Sequence, residues 1–141
     1  MRREFRKNLK THHSTRIMDQ YKSHGEREIA RILQEQKIHF VYEHPILIKE
    51  QKTSDTEKLR IWYPDFWLPK YSIIIEYWGR DGDHNYNKGK EAKINAYKKL
   101  NIDFISVYPK TLQKNLQAYL LMTISKLIND KERHFKARNK Q

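Results

Sequence analysis

The chain has 141 residues, which is enough for one domain with a single core and excludes a second catalytic domain. Its formal net charge of +12 is typical of proteins that bind a polyanion, either nucleic acid or an anionic membrane surface. It contains no cysteine, which excludes disulfides and cysteine-ligated zinc sites and favours a reducing compartment. Because the chain shows neither a signal-peptide pattern nor an apolar run of membrane-spanning length, we expect a cytoplasmic protein without membrane contact.

The first element in chain order is a basic N-terminal arm, predicted over residues 1–19. Residues 1–18 hold six lysines and arginines against one acid, and residues 131–141 hold five against one, so most of the net charge lies at the two ends. We expect such segments to contact phosphates by displacing counterions, although a role in solubility alone would produce the same composition. The candidates in the arm are Arg2, Arg3, Arg6, Lys7, Lys10 and Arg16.

Residues 20–130 are predicted to form one domain, followed by a basic C-terminal tail over residues 131–141. Ser23 and Glu26 form a capping box, which predicts a first helix that ends near Gln36. Alternating and β-branched residues then predict three strands, over residues 38–49, 59–68 and 72–78, with a polar loop at 50–58 and a turn at Pro69-Lys70.

The third predicted strand, 72–78, contains three consecutive isoleucines, which indicate burial on both faces and a central position. A polar loop is predicted over 79–89, a helix over 90–100 and a short strand over 102–107, and Thr111 is predicted to cap the last helix. The connection from the third strand to the fourth has the length of a parallel crossover. We therefore predict an α/β fold with a mixed central sheet of about four strands flanked by helices.

Asp65 and Glu76 are the candidate metal ligands. If the turn between their strands has two residues, Asp65 pairs with Ile74, and Glu76 is its diagonal neighbour on the same face. The two Cα atoms would then be about 7–8 Å apart, a separation that two carboxylates can close onto one cation.

Burial of a carboxylate in a central strand costs free energy unless a cation or hydrogen-bond donors compensate its charge, and a second carboxylate beside it adds electrostatic repulsion. A shared divalent cation removes that cost, and hard oxygen ligands favour Mg²⁺ or Mn²⁺. The residues leave two other interpretations open: Glu76 pairs with a nearby lysine or arginine, and Asp65 caps a turn after Pro64.

Three further residues are candidates for the same site. Glu26 lies on the core-facing side of the first helix, where it either joins the metal site or serves only its own helix end. Glu43, in the first strand, is a weaker candidate of the same kind. Lys93 begins the apolar stripe of the second helix, so its ammonium group could emerge near Glu76 and assist attack on a phosphate; a solvated lysine fits the spacing equally well.

Two short motifs and the helix before them resemble the motif order of the PD-(D/E)XK nuclease superfamily over residues 23–112. The matching residues are Ser23, Glu26 and Ile29, then Pro64-Asp65-Phe66, then Glu76-Tyr77-Trp78-Gly79, then Lys93 and Tyr97. The resemblance implies metal-dependent phosphodiester hydrolysis on a core like that of restriction endonucleases.

The same resemblance implies roles for individual residues. The implied metal ligands are Asp65, Glu76 and the backbone carbonyl of Tyr77, with Glu26 in support and Lys93 in catalysis. The superfamily lysine normally follows the glutamate by two residues, and that position is Trp78 here. The implied lysine is therefore Lys93, which would have to reach the site from the second helix.

We expect on these grounds an Mg²⁺-dependent or Mn²⁺-dependent DNA endonuclease, structure-selective in repair or recombination or encoded by a phage or mobile element. Arg80, His84 and Tyr86, in the predicted polar loop, are candidates for contact with the DNA. A catalytically inactive DNA-binding module of the same fold and a basic RNA-binding protein are the alternatives. A homodimer through the last helix, and a helicase or other protein partner, are also left open.

Overall fold

The computed structural model describes residues 20–53, 56–80 and 82–140. The predicted N-terminal arm, with its six candidates for phosphate contact, lies outside the described residues. The elements in chain order are α1 (His24–Glu35), β1 (Val41–Tyr42), β2 (Ile46–Thr53), β3 (Thr56–Trp62), β4 (Phe66–Leu68), β5 (Ile73–Tyr77), α2 (His84–Lys99), β6 (Asp103–Val107), α3 (Pro109–Gln113) and α4 (Leu116–Asn139).

Four strands form the main sheet, in the order β1-β4-β5-β6. β4 pairs antiparallel with β1 and with β5, whereas β6 pairs parallel with β5 after the α2 crossover. Helices flank this sheet: apolar side chains of α1 and α4 share a core with one of its faces. The predicted fold class, a mixed α/β sheet of about four strands flanked by helices, is confirmed.

The central position predicted for the isoleucine strand is also confirmed, because β5 lies between β4 and β6. Ile73 and Ile75 belong to the core shared with α1 and α4. Ile74 points to the opposite face, since side chains alternate along a strand, and it is equally buried. Glu76 shares that opposite face with Ile74, so the sheet alternation directs Glu76 away from the main core and toward α2.

The two strands predicted over 38–49 and 59–68 are each broken in two. The first breaks after β1, where Glu43 adopts a left-handed backbone conformation (φ 51°) and Pro45 lacks an N–H for the ladder. The second breaks at Pro64, before β4. β1 and β4 therefore join the main sheet, whereas β2 and β3 form a separate two-stranded sheet.

This β2–β3 hairpin also corrects the predicted polar loop at 50–58. The ladder continues through that segment, with Glu50 opposite Lys58 and Gln51 opposite Glu57. Residues 49–58 are all polar, a composition that is typical of a loop but that an exposed antiparallel ribbon also accepts.

The turn between β4 and β5 is longer than the predicted two residues. The Tyr71 N–H donates to the Leu68 carbonyl (3.2 Å), which encloses Pro69-Lys70 in a turn, but pairing resumes only at Ile73, opposite Leu68. Tyr71 and Ser72 are the two additional residues of the turn, and Ser72 has a left-handed backbone (φ 54°). The register is therefore shifted by two residues from the predicted one, which keeps every side chain on its predicted face.

Two helix boundaries differ from the predictions. α2 begins at His84 rather than at residue 90, because the Asp83 carboxylate accepts hydrogen bonds from the N–H groups of Asn85 and Tyr86 and caps the helix. Thr111 does not cap the last helix, since it lies within the short α3, and the cap of α4 is Asn115. A glycine inside α2 made this helix resemble a loop in the sequence.

The segment predicted as a basic tail is mostly helical, because α4 continues without a break to Asn139. Every residue from 131 to 140 is exposed. Among the described residues, no helix combines the length and the apolar character that a bilayer crossing needs.

Candidate metal centre

Asp65 and Glu76 face each other across β4 and β5. The pair Phe66 and Ile75 is in register, and one further step along the ladder brings Asp65 opposite Glu76 rather than diagonal to it. The Asp65 N–H lies 3.4 Å from Glu76 Oε2, and the Tyr77 N–H donates to Asp65 Oδ2 at 2.7 Å. The two carboxylates therefore share one face, as predicted, and lie closer together than the predicted register would allow.

Glu76 is almost completely buried, with 1% of its surface exposed. The Tyr97 hydroxyl donates to Glu76 Oε1 at 2.6 Å, and the Lys93 ammonium lies 3.5 Å from the same oxygen. Both donors come from α2, at positions four residues apart that share one side of the helix. The prediction that Lys93 reaches Glu76 is confirmed, so the predicted metal ligand and the alternative ion pair involve the same carboxylate.

Asp65 has too little positive charge around it to favour ionisation. Burial, followed by the neighbouring charge of Glu76, raises the pKa of Asp65 to about 8, although the Tyr77 N–H and the Lys93 ammonium act in the opposite direction. The pair therefore attracts a proton or an additional cation. That is the electrostatic condition that a divalent ion satisfies.

The donor set is small but fits Mg²⁺ or Mn²⁺. Among the described residues, no group of three or more histidine, cysteine, aspartate or glutamate side chains could hold a metal ion. Mg²⁺ usually keeps several waters and binds through one or two carboxylates together with substrate phosphates, so two carboxylates are sufficient. The Tyr77 N–H faces Asp65, and the carbonyl of an extended residue points to the same side as its N–H, so we expect that carbonyl to face the pair as well.

Glu26 is buried at the start of α1, where two hydroxyl groups engage it. The Ser23 hydroxyl donates to Glu26 Oε2 at 2.8 Å, and the Tyr42 hydroxyl donates to Glu26 Oε1 at 3.1 Å. Its charge is close enough to contribute to the raised pKa of Asp65. The helix-end role of Glu26 is thus present in the structure, and its support of a metal remains a prediction.

The ring of Tyr77 holds the start of α1 against the sheet. A Cβ atom added at Gly25 would lie 2.2 Å from Tyr77 Cζ, so only glycine permits this contact. Gly25 precedes Glu26, and Tyr77 follows Glu76. The contact therefore sets the distance between the helix that carries one carboxylate and the strand that carries another.

Gly25→Ala is expected to lower the free energy of unfolding by about 1–3 kcal/mol, because the ring or the helix must move. Gly89→Ala is the matched control: it also lies in a helix, a Cβ there meets nothing within 4 Å, and it is expected to stabilise by up to about 1 kcal/mol. Urea denaturation of both variants measures the difference. A Gly25→Ala variant as stable as Gly89→Ala would show that the Tyr77 ring moves aside without cost.

Trp78, at the position where the resemblance would place a lysine, is buried. Its indole N–H donates to Ser106 Oγ at 2.9 Å, and its ring lies 6.5 Å from the Tyr86 ring, centroid to centroid. The Lys93 ammonium lies 6.0 Å from the centre of the Trp78 ring and also lies close to the Glu76 carboxylate. The positive charge beside Glu76 therefore comes from α2, and Lys93 reaches it alongside the Trp78 ring.

Tyr97 is the residue of this site to which sequence reasoning assigned no role. It was predicted only as an apolar-stripe and motif residue, yet its hydroxyl is a buried donor to Glu76. Burial raises the pKa of this hydroxyl above its usual range, so it keeps its proton. Its position four residues after Lys93 was the available signal, since such residues share a helix side.

Tyr97→Phe is expected to weaken Mn²⁺ binding about tenfold, because Glu76 loses the hydrogen bond that orients it. Tyr119→Phe is the matched control, since it removes a hydrogen bond of similar length (2.7 Å) to the carbonyl of Ser106. Calorimetric titration of both variants with Mn²⁺ measures the effect. Equal affinities for the two would mean that Tyr97 does not position the ligand.

The remaining candidates lie around this centre, and among them the Glu43 N–H donates to the backbone carbonyl of Asp65 at 3.0 Å. Glu43 forms an ion pair with Lys22 at 2.7 Å. Arg80 and His84 are exposed, the latter at the first position of α2 and not in the predicted loop. Tyr86 is half-buried, and burial raises the pKa of its hydroxyl.

No protein-family model, curated protein or solved structure matches this chain.

Proposed function

We propose that this protein is a divalent-metal-dependent nuclease that hydrolyses phosphodiester bonds in DNA. The observation behind the proposal is the facing pair of Asp65 and Glu76, with the Lys93 ammonium 3.5 Å from Glu76. Two carboxylates on a buried sheet face cost stability without a cation between them. A purely structural sheet does not need two neighbouring buried carboxylates, whereas a metal-dependent hydrolase uses such a pair to bind its metal ion.

The side chains have distinct tasks in this proposal. Asp65 and Glu76 would hold Mg²⁺ or Mn²⁺, which when bound polarises a phosphate and lowers the pKa of a water molecule. Lys93 is about one-third exposed and can donate a hydrogen bond to a phosphate oxygen, where it stabilises the negative charge that develops. Tyr97 keeps the Glu76 carboxylate in place through its short hydrogen bond.

The net charge of +12 supports a polyanionic substrate, and the motif order favours DNA. We further propose a structured DNA substrate, such as a branch encountered in repair or recombination, because this domain by itself offers little surface for reading a base sequence. A homodimer or a helicase partner would be compatible with this role.

A catalytically inactive DNA-binding module is the second candidate, and Trp78 in the usual lysine position favours it. A basic RNA-binding protein is the third, but it leaves the Asp65–Glu76 pair without a purpose. The three candidates differ in what they do to nucleic acid in the presence of metal.

The test is incubation of supercoiled plasmid and of a four-way DNA junction with the protein in Mg²⁺, Mn²⁺ or EDTA. The nuclease proposal expects cleavage in at least one metal and none in EDTA. DNA binding without cleavage in either metal would favour the inactive module. Tighter binding of RNA than of DNA, again without cleavage, would favour the RNA-binding protein.

A further inference from the structure

Four basic residues follow the outer side of α4 at helical spacing, and we call them the basic stripe: Lys126, Arg133, Lys136 and the C-cap residue Lys140. Three of them follow at intervals of seven residues and the fourth lies between at helical spacing, so all four fall within about 80° of the helix circumference. Lys126 comes two positions, or about 200°, after the buried Ile124, so the stripe points away from the core. Its length is about 21 Å at 1.5 Å per residue.

The charges of the basic stripe are not neutralised within the described part of the chain. All four side chains belong to exposed residues, and none forms an ion pair with a described residue. Arg31 on α1 behaves differently, because it pairs with Glu28 and Glu35, each at 2.9 Å. The basic stripe therefore has no ion-pair partner among the described residues, and its four positive charges outnumber the two acids beside it, Asp130 and Glu132, whereas Arg31 on α1 is paired.

The helix that bears the stripe is attached to the sheet on its opposite side. Lys131 forms an ion pair with Asp103 at 3.0 Å and donates to the backbone carbonyl of Tyr71. Asp103 begins β6 and Tyr71 precedes β5, so α4 is held at the end of the sheet that lies opposite Glu76. These contacts fix the direction of the stripe relative to the domain.

We infer that the basic stripe binds the phosphate backbone of a DNA duplex. A duplex offers one phosphate per ~3.4 Å of axis on each strand, so a straight row of about 21 Å faces several regularly spaced phosphates. A single strand presents no such fixed row. The choice of DNA as the duplex rests on the proposed function, and the distance from Glu76 gives the stripe a role in affinity rather than in chemistry.

The test compares two variants of the full chain, each with four basic residues replaced by glutamine. The stripe variant is K126Q/R133Q/K136Q/K140Q, and the matched control is K98Q/K99Q/K110Q/K114Q, which removes four exposed charges from α2, α3 and the end of α3. Affinity for a duplex of about 30 base pairs is measured in EDTA between about 50 and 200 mM salt. The stripe variant is expected to flatten the slope of log affinity against log salt by about three, and the control to leave it near that of the unmodified chain.

Two results would overturn the inference. One is a stripe variant whose affinity depends on salt with the same slope as that of the unmodified chain, or whose affinity for the duplex falls no more than that of the control variant. The other is an equal loss of affinity for single-stranded DNA of the same length, which would show that the stripe does not recognise a duplex in particular. Because EDTA prevents metal-dependent cleavage, a failed nuclease assay together with a flattened slope would reject the proposed function and leave this inference standing.

Discussion

Asp65→Asn is expected to abolish cleavage and to leave DNA binding unchanged. The amide keeps the shape of the carboxylate and can still accept the hydrogen bond of the Tyr77 N–H, so the strand pairing is preserved. It carries no charge and is a poor metal ligand. The loss of activity should exceed the ~10–100-fold cost of losing only a hydrogen-bond partner of a ligand.

The matched control for this variant is Asp103→Asn. Asp103 also lies on the main sheet, but at the start of β6, where it pairs with Lys131. Plasmid cleavage and duplex binding are measured for both variants in Mn²⁺, and binding also in EDTA. A fully active Asp65→Asn variant, or a loss of activity equal in both, would contradict the proposed role of Asp65.

Without metal, the protein is expected to become less stable as the pH rises toward 8. The pKa of Asp65 is raised from 3.8 to about 8 in the folded state, so the folded protein binds a proton more tightly than the unfolded chain does. This contribution to stability is complete below the unfolded pKa and is lost as the pH rises through the folded pKa. Since one pKa unit corresponds to about 1.4 kcal/mol, the loss is on the order of a few kcal/mol.

Urea denaturation in EDTA between about pH 5 and pH 8.5 measures this loss. Asp65→Asn serves as the reference, because it lacks the titrating group but keeps all others. Its stability should exceed that of the unmodified chain increasingly as the pH rises. Addition of Mn²⁺ should raise the free energy of unfolding of the unmodified chain most strongly at high pH, where the metal no longer has to displace a proton from Asp65. Parallel pH profiles for the two proteins in EDTA would contradict the raised pKa.

The local signals in the sequence were reliable where a residue's own neighbours decide its conformation. Ser23 caps α1 as predicted, and the three isoleucines of β5 are central and buried. The capping of α2 by Asp83 differs from the predicted loop, because Asp83 is typical of a helix start whereas the glycine that follows within α2 is typical of a loop. Boundaries of this kind depend on a few tenths of a kcal/mol of propensity, which packing overrides.

Long-range pairing explains the other differences. The chain leaves the main sheet after β1 and returns at β4; Pro45 and Pro64 mark the two breaks, but nothing in residues 38–68 indicates which strands pair with each other. The two additional turn residues, Tyr71 and Ser72, shifted the register of β4 and β5 by two positions. An even shift keeps the side chains on their faces, which is why Asp65 and Glu76 still converge.

The sequence by itself therefore determined the α/β class, the central strand and the shared face of the two carboxylates, because alternation and helical spacing are local properties. Tertiary structure alone decided that Lys93 and Tyr97 meet on one oxygen of Glu76, that the buried Trp78 indole donates to Ser106, and that the β2–β3 hairpin forms a separate sheet. Those outcomes depend on how α2 packs over the sheet. Packing joins residues distant along the chain, and no periodicity in a single segment encodes such contacts.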